Sequence, residues 1–263
     1  MFDFVFSLPL WALALVLNVW LIGFALVGLW AFRRWALPQL NIGDDTDLYY
    51  SAVVMQSAMM LYALVAALTA VSVWSRHSQI SDVVSSEATT IARLWRDLSG
   101  YPQAEREALQ DTLRTYTEQI INEAWAEQRQ GRIPQGGVNH MNRLQAQLFS
   151  FEPTMESQKI LHAEALSAFN SLIQARRLRL DSVGKGLPVV MWFVLVPGAM
   201  GCVFLAFFFR VRDTRYQAIL AASLSGFIAM ALFVIVALDH PFRGAMAIGS
   251  DSYRLVHQQL MQR

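Results

Sequence analysis

Five histidines, one cysteine and twenty carboxylates are the groups in this chain with the capacity for catalysis or metal binding, and their spacing serves neither. His77, His140, His162, His240 and His257 stand apart, with no HExxH pair and no CxxC among them. A GxSxG elbow and a glycine-rich phosphate loop are also missing, so nothing combines a nucleophile, a base and an oxyanion or phosphate cradle. The chain reads as a non-enzyme with no metal site and no cofactor. Cys202 has no second cysteine to pair with and sits in an apolar run, where it reads as a small packing residue.

Polar groups in apolar surroundings carry more information. Glu87 falls between Val84 and Ile91, beside the apolar stripe of a long helix, and a carboxylate there needs a partner because burying an unpaired charge is costly. The cluster Arg176, Arg177 and Arg179 is the natural partner region, and the pair reads as structural or as a gate. Glu123, next to Trp125 in the sequence but for one alanine, carries the same two readings. Asn18, Gln56, Ser57, Ser223 and Ser225 lie inside uncharged runs. None is ionisable, so no proton relay or voltage sensor is present there, and the expectation is helix-to-helix hydrogen bonds worth about 0.6 kcal/mol each. Gln56 differs. With Ser57 it stands one turn into the second run among Met55, Met59 and Met60, a mixture suited to a pore wall or a subunit interface, and helical spacing adds Ala63 and Ala67 to its face.

The elements that hold these residues follow from charge and hydropathy. Of 263 residues 55% are hydrophobic and 16% charged, and the net charge of +1 leaves no nucleic-acid footprint. Leu8 to Phe32, Tyr49 to Ser75, Gly186 to Phe209 and Tyr216 to Leu238 carry no charge at all. Each is long enough to span a bilayer as a helix. The amino-terminal MFDFVFSLPL has no basic n-region, and its run reads as a retained anchor. Between the pairs, 13 basic and 13 acidic residues from Arg76 to Gly186 accompany helical stripes of apolar residues, the signature of a neutral amphipathic bundle. No glycine or proline occurs from Leu48 to Ser99, so the second span is expected to run on as one helix of about 75 Å until Gly100 and Pro102 end it. A helix from about Gln103 to Gln128 carries Leu109, Leu113, Tyr116, Ile120 and Ala124. A loop over Gln130 to Val138 and a short helix around Met141, Leu144 and Leu148 follow. The next helix has Pro153 in its first turn and the stripe Leu161, Ala165, Phe169, Ile173 and Arg177. After the fourth span, Ser250 or Asp251 is placed to cap a short helix with Tyr253, Val256, Leu260 and Met261 on its apolar face, lying on the membrane surface or docked on the bundle. The expected architecture is all-α, with a transmembrane pair at 1–75, a helical region at 76–186, a second pair at 187–238 and a tail at 239–263.

Several of these residues form a pattern. Glu87, Ala88, Leu94 and Arg96 on the long helix, then Tyr116, Glu123 and Trp125, then Leu187, Pro188 and Trp192, then Asp239, Pro241, Phe242 and Gly244 resemble the bestrophin-like family, a domain-of-unknown-function group of four-span membrane proteins. Ala124 stands between Glu123 and Trp125 here, and His240 and Arg243 stand within the closing motif. The resemblance covers most of the chain beyond the first span. It implies distant kinship with bestrophins, homo-oligomeric ion channels with four spans per subunit, a helical extramembrane portion and a pore lined mainly by the second span. Expected partners are then other copies of the chain, four or five in all, with the lipid bilayer and a permeating ion. Gln56, Ser57, Met59, Met60 and Ala63 become pore or interface candidates. Glu87, Arg96, Glu123, Arg177 and Asp239 become structural or gating candidates. The alternative is a membrane-anchored sensor or assembly module whose central bundle binds a ligand or partner. A cell-membrane location follows from the spans. For orientation, Arg33, Arg34, Arg210, Arg212 and Arg215 in the two short loops place those loops in the cytoplasm and the central region outside it, whereas bestrophin kinship places the region inside.

Overall fold

Uncharged runs of this length close every backbone hydrogen bond within themselves, and the computed structural model, which describes residues 8–39, 45–209 and 213–262, is helical in every regular element it describes. In chain order the helices are α1 (Leu10–Ala31), α2 (Asp45–Leu98), α3 (Gln103–Gln119), α4 (Trp125–Arg129), α5 (Gly137–Ser150), α6 (Glu156–Asp181), α7 (Val189–Leu205), α8 (Thr214–Leu238) and α9 (Asp251–Val256). Among the described residues four stretches are long and apolar enough to cross a membrane: Leu10–Gln39, Tyr49–Leu98, Val189–Phe208 and Thr214–Leu238. The loop residues Asn41, Gly43, Asp44, Arg210 and Arg212 lie outside the described residues, as do the side chains of Asp45 and Asp47. The chain divides into two compact units, Met1–Ser75 with Gly186–Asp239, and Arg76–Lys185 with His240–Arg263.

In the first unit α1 packs along α8. Leu21, Ala25 and Leu29 on one side meet a row from α8 that includes Ala221, Ser225, Ala229 and Leu232, all buried. Small residues let helix backbones approach where lipid tails remove the hydrophobic drive to associate. Two glycines do the same more locally. A Cβ on Gly198, next to the intrahelical Pro197 of α7, would stand 2.9 Å from the Tyr62 ring, and one on Gly28 would stand 2.8 Å from the Phe207 ring. Two of the intramembrane serines bond within their own helices: Ser57 donates to the Val53 carbonyl at 2.8 Å and Ser225 to the Ala221 carbonyl at 2.7 Å. A hydroxyl this short closes onto the carbonyl one turn back before it reaches a neighbour, which corrects the expectation of bonds between helices for Ser57 and Ser225. Asn18 likewise donates to Ala14 at 2.8 Å, with a long 3.9 Å contact to the Met230 sulfur on α8.

The second unit has a core of its own. Ile80, Val84, Ile91, Leu94 and Leu98 form a buried stripe at helical spacing on α2, and it packs with Leu109 and Leu113, Leu144 and Leu148, and Phe169 and Leu172. Each wholly buried leucine contributes about 2 kcal/mol. Three local readings change. The helix expected over 103–128 contains a π-helical turn, Ile120–Ala124, between α3 and α4. α5 begins at Gly137, inside the expected loop. Pro153 precedes α6 rather than entering its first turn, because the Gln158 side-chain oxygen turns back to accept from the Thr154 and Met155 amides at 3.0 and 3.3 Å and starts the helix at Glu156. Ser250 stands at the cap position of α9 and accepts from Tyr253 and Arg254 through its backbone carbonyl, without a side-chain cap. α9 and the π turn His257–Met261 after it bury Tyr253 and Met261 in this core.

Candidate functional site

Two places gather the polar residues that the fold must accommodate, one in each unit. In the first unit the second span turns Tyr62, Ala66, Thr69 and Val73 towards the other spans. The opposite face is uncovered. Gln56, Ser57, Met60, Ala63 and Ala67 are exposed, while Met59 is half-buried and packs against the unit's core. Gln56 has no hydrogen-bond partner among the described residues. In its most apolar 18-residue window the second span has 11% of its residues buried, against 33% for the fourth, so the chain's own helices leave it the barest of the four. At the end of the unit Asp239 is buried, and its Oδ1 accepts from the Leu187 amide at 2.5 Å, tying the close of the fourth span to the opening of the third. That bond joins two of the sequence motifs, Leu187-Pro188 and Asp239.

In the second unit Glu87 is completely buried, within the α2 stripe rather than beside it, since positions 80, 84, 87, 91 and 94 share one face. Its carboxylate accepts four bonds. Arg179 donates through Nε to Oε2 at 2.6 Å and through Nη2 to Oε1 at 3.1 Å. Tyr116 donates to Oε1 at 3.0 Å and Tyr253 to Oε2 at 3.0 Å. The guanidinium lies 5.7 Å from the Trp125 ring centre and 5.8 Å from that of Tyr253, a cation against two aromatic rings. Its Nη1 is buried without an acceptor among the described residues. Burial works against the charge of Arg179, but Glu87 beside it holds its proton above the ordinary arginine value. Burial and the same carboxylate push the phenols of Tyr116 and Tyr253 well above their usual range, so both remain donors. Trp125 completes the shell by donating to the Ile248 carbonyl at 3.1 Å and by edge contact with Phe242 at 5.8 Å. The ion pair forms a closed clamp with every carboxylate lone pair engaged, and no side chain in it is open to solvent.

The sequence candidates divide accordingly. The structure brings Glu87 to the arginine cluster through Arg179, while Arg177, Arg96 and Glu123 are exposed and outside the clamp. Tyr253 and Gln128 were missed. Tyr253 comes from a tail 166 residues away from Glu87 and had only its place on an apolar stripe to mark it. Gln128 is wholly buried with neither amide atom bonded among the described residues. No cluster of three His, Cys, Asp or Glu side chains capable of holding a metal occurs among the described residues.

This arrangement of helices is shared with known structures. One is the crystal structure of a membrane protein carrying a point substitution, with a TM-score of 0.70 at 10% identity over 95% of this chain and 97% of that one. Another is a point variant of a bacterial Bestrophin homolog from Klebsiella pneumoniae, with a TM-score of 0.68 at 10% identity over 95% of this chain and 98% of that one. At such identity the likeness shows the fold alone. No curated protein matches the chain. The Bestrophin-like domain model, however, matches residues 19–253, a stretch that holds Gln56, the whole Glu87–Arg179–Tyr116–Tyr253 clamp and the Leu187–Asp239 tie, and the chain belongs to that family.

Proposed function

We propose that this chain is the subunit of a homo-oligomeric ion channel whose second span lines the path. The observation that supports this is the bare face of α2. A glutamine amide facing lipid tails leaves its donors and acceptor unmade, at several kcal/mol. The same amide in a water-filled path, or against another copy, keeps its bonds. Gln56 heads a face whose next members, Met60, Ala63 and Ala67, are also uncovered by the chain's own helices. Four helices are too few to enclose both a core and a water-filled path, so the path needs several subunits, four or five in this reading. Kinship of the family with bestrophins, which are oligomeric channels, adds to it.

Purified chain should be a homo-oligomer in native mass spectrometry and should give unitary current steps in planar bilayers. Gln56→Leu should change conductance or oligomer stability more than Leu61→Ala, which alters an exposed residue well round the helix from Gln56. A monomer, or equal effects of the two changes on an intact oligomer, overturns the proposal. An intact oligomer that never conducts moves the function to the central bundle as a sensor or assembly module. The short loops with Arg33, Arg34, Arg210, Arg212 and Arg215 are assigned to the cytoplasm by the positive-inside rule, with the central region outside. Asn139→Cys in a Cys202→Ala background should then react with an impermeant thiol reagent on intact cells, and an unreactive site there reverses the orientation.

A further inference from the structure

Ile133 is 53% exposed in a loop whose backbone is otherwise firmly held. α4 ends in the pattern that a glycine closes: Gly131 has a φ of +74° and donates to the Gln128 carbonyl at 2.8 Å, and Arg132 donates to the Glu127 carbonyl at 3.0 Å. On the other side of Ile133, Pro134 is buried. The isoleucine is therefore held out from the bundle by fixed backbone before and after it. The depth of the loop follows from its neighbours. A Cβ on Gly184 would stand 3.6 Å from the Gly131 carbonyl oxygen, and one on Gly131 would stand 3.4 Å from the Arg243 guanidinium. Gly184 comes two residues before the third uncharged run, and two residues reach at most about 7 Å. The polar layer of a bilayer is about 5–8 Å thick on each side, so Gly131 lies at the level of the headgroups. The segment after the fourth span runs at the same level, since the Met246 carbonyl pairs with Nε2 of His77 at 3.0 Å, two residues past the end of the second uncharged run, and Met246 is 40% exposed.

A large apolar side chain left bare at this level meets lipid headgroups and not bulk water. We propose that residues 130–135 rest on the bilayer that the spans cross, seating Ile133 among the headgroups with Arg129 and Arg132 beside the phosphates. Those two arginines are the only charged residues from 128 to 138, and both are exposed. The Arg132 guanidinium is steadied by the neutral side chain of Gln130, to which its Nη2 donates. An apolar residue between cations suits an interface, where the first enters the boundary and each arginine near an anionic surface changes affinity about fivefold. Bare apolar residues at the far end of the unit are out of reach of this layer. Phe149, 65% exposed, stands at the end of α5, where the neighbouring Phe151 packs on Tyr101 just beyond the close of α2. From His77 to Leu98 α2 rises about 32 Å. The assignment needs the chain to span a membrane and is independent of whether it conducts.

The test uses the full chain in a Cys202→Ala background, reconstituted in nanodiscs of phosphatidylcholine and phosphatidylglycerol. Ile133→Cys and Phe149→Cys are each labelled with an environment-sensitive fluorophore, and both positions are exposed, so neither change disturbs the core. A nitroxide carried on the lipid headgroup should remove most of the emission at 133 and little at 149, while soluble iodide should do the reverse. Arg129→Gln with Arg132→Gln should restore part of the emission at 133 and leave that at 149 unchanged. Equal quenching of the two positions by the headgroup nitroxide overturns the proposal. So does a label at 133 that escapes both quenchers, which would put a second copy of the chain over the loop. An undiminished nitroxide effect in the arginine variant would overturn it as well, by removing the arginines from the contact.

Discussion

The Glu87–Arg179 clamp makes the most demanding prediction, because its two halves should be nearly worthless apart. Arg179→Met removes two charge-assisted bonds and leaves Glu87, with no exposed surface, facing only the hydroxyls of Tyr116 and Tyr253. Breaking a buried pair in this way costs about 3–5 kcal/mol, mostly the penalty of the charge left behind. Glu87→Met strands the guanidinium between Trp125 and Tyr253 and should cost a similar amount. Changing both to Met leaves neither charge. The double variant then bears the loss of two acceptor bonds for Tyr116 and Tyr253, about 1–3 kcal/mol for each hydroxyl left unmade. With about 6–10 kcal/mol for the two singles together against about 2–6 kcal/mol for the double, the loss should fall short of the sum by about 4 kcal/mol at mid-range, a coupling large enough for a double-mutant cycle to resolve.

Hydrogen exchange on the full chain in detergent reads this locally, at amides of α2 from 84 to 94 and of α6 from 168 to 175, where opening of the second unit limits exchange. Each 1.4 kcal/mol is a tenfold change, so either single variant should speed exchange by roughly two to four powers of ten. Arg177→Met, two residues from Arg179 but exposed, should leave the rates within about twofold of wild type, as surface changes of under 0.5 kcal/mol do. Additive losses in the double variant, or an Arg177→Met loss equal to that of Arg179→Met, would refute the reasoning.

Burial lowers the pKa of the His162 imidazole, whose Nδ1 pairs with the Tyr101 hydroxyl at 2.7 Å, while Tyr101 itself is pushed up to about 12 and keeps its proton. The folded state then binds the His162 proton less tightly than the unfolded one, so this contribution is complete above about pH 6.5 and is lost as pH falls from there through the lower folded pKa. His162→Gln should flatten that part of the melting-temperature profile between pH 7.5 and 5. Gly198→Ala should cost about 1–3 kcal/mol by forcing the Tyr62 ring off its seat, and Tyr62→Leu in the same chain should recover most of it in a thermal melt. Gln128→Met should raise the melting temperature, since it replaces a buried amide with no partner among the described residues by an apolar chain of similar length, a gain of about 1–3 kcal/mol.

How much of this could be read from the sequence depends on whether the signal was composition or phase. The spans and the unbroken α2 follow from what is absent, charge in four runs and glycine or proline from Leu48 to Ser99, and absence needs no knowledge of packing. The need of Glu87 for an arginine near 176–179 was equally legible. Which arginine it takes was a matter of phase. The stripe Leu161, Ala165, Phe169, Ile173 and Arg177 climbs in steps of four, and at about 100° per residue it drifts roughly 40° with each step, off the core by its end. The buried face follows steps of three and four instead, through Ala165, Ala168, Leu172, Ala175 and Arg179, which leaves Arg177 outside and Ile173 exposed. Glu123 and Trp125 went the same way for a different cause. The π turn Ile120–Ala124 holds the rotation back, so the carboxylate leaves the core face and Trp125 and Gln128 enter it.

The second span shows why phase is hardest to read in a membrane. A soluble helix advertises its buried face by contrast with a charged one, but from Tyr49 to Ser75 this helix is uncharged all round, so hydropathy says that it spans and not which side faces what. The face is decided by shape. Tyr62 fits where Gly198 has no side chain, and Ala66, Thr69 and Val73 continue that line at steps of four, three and four, with the Thr69 hydroxyl closed onto the Val65 carbonyl at 2.8 Å. Once that line is seated, the side carrying Gln56, Met60, Ala63 and Ala67 is the side left over. The polar amide that hydropathy treats as a minor blemish then stands on the face that the chain's own helices leave uncovered, and the proposed channel gives it bonds to water or to another subunit.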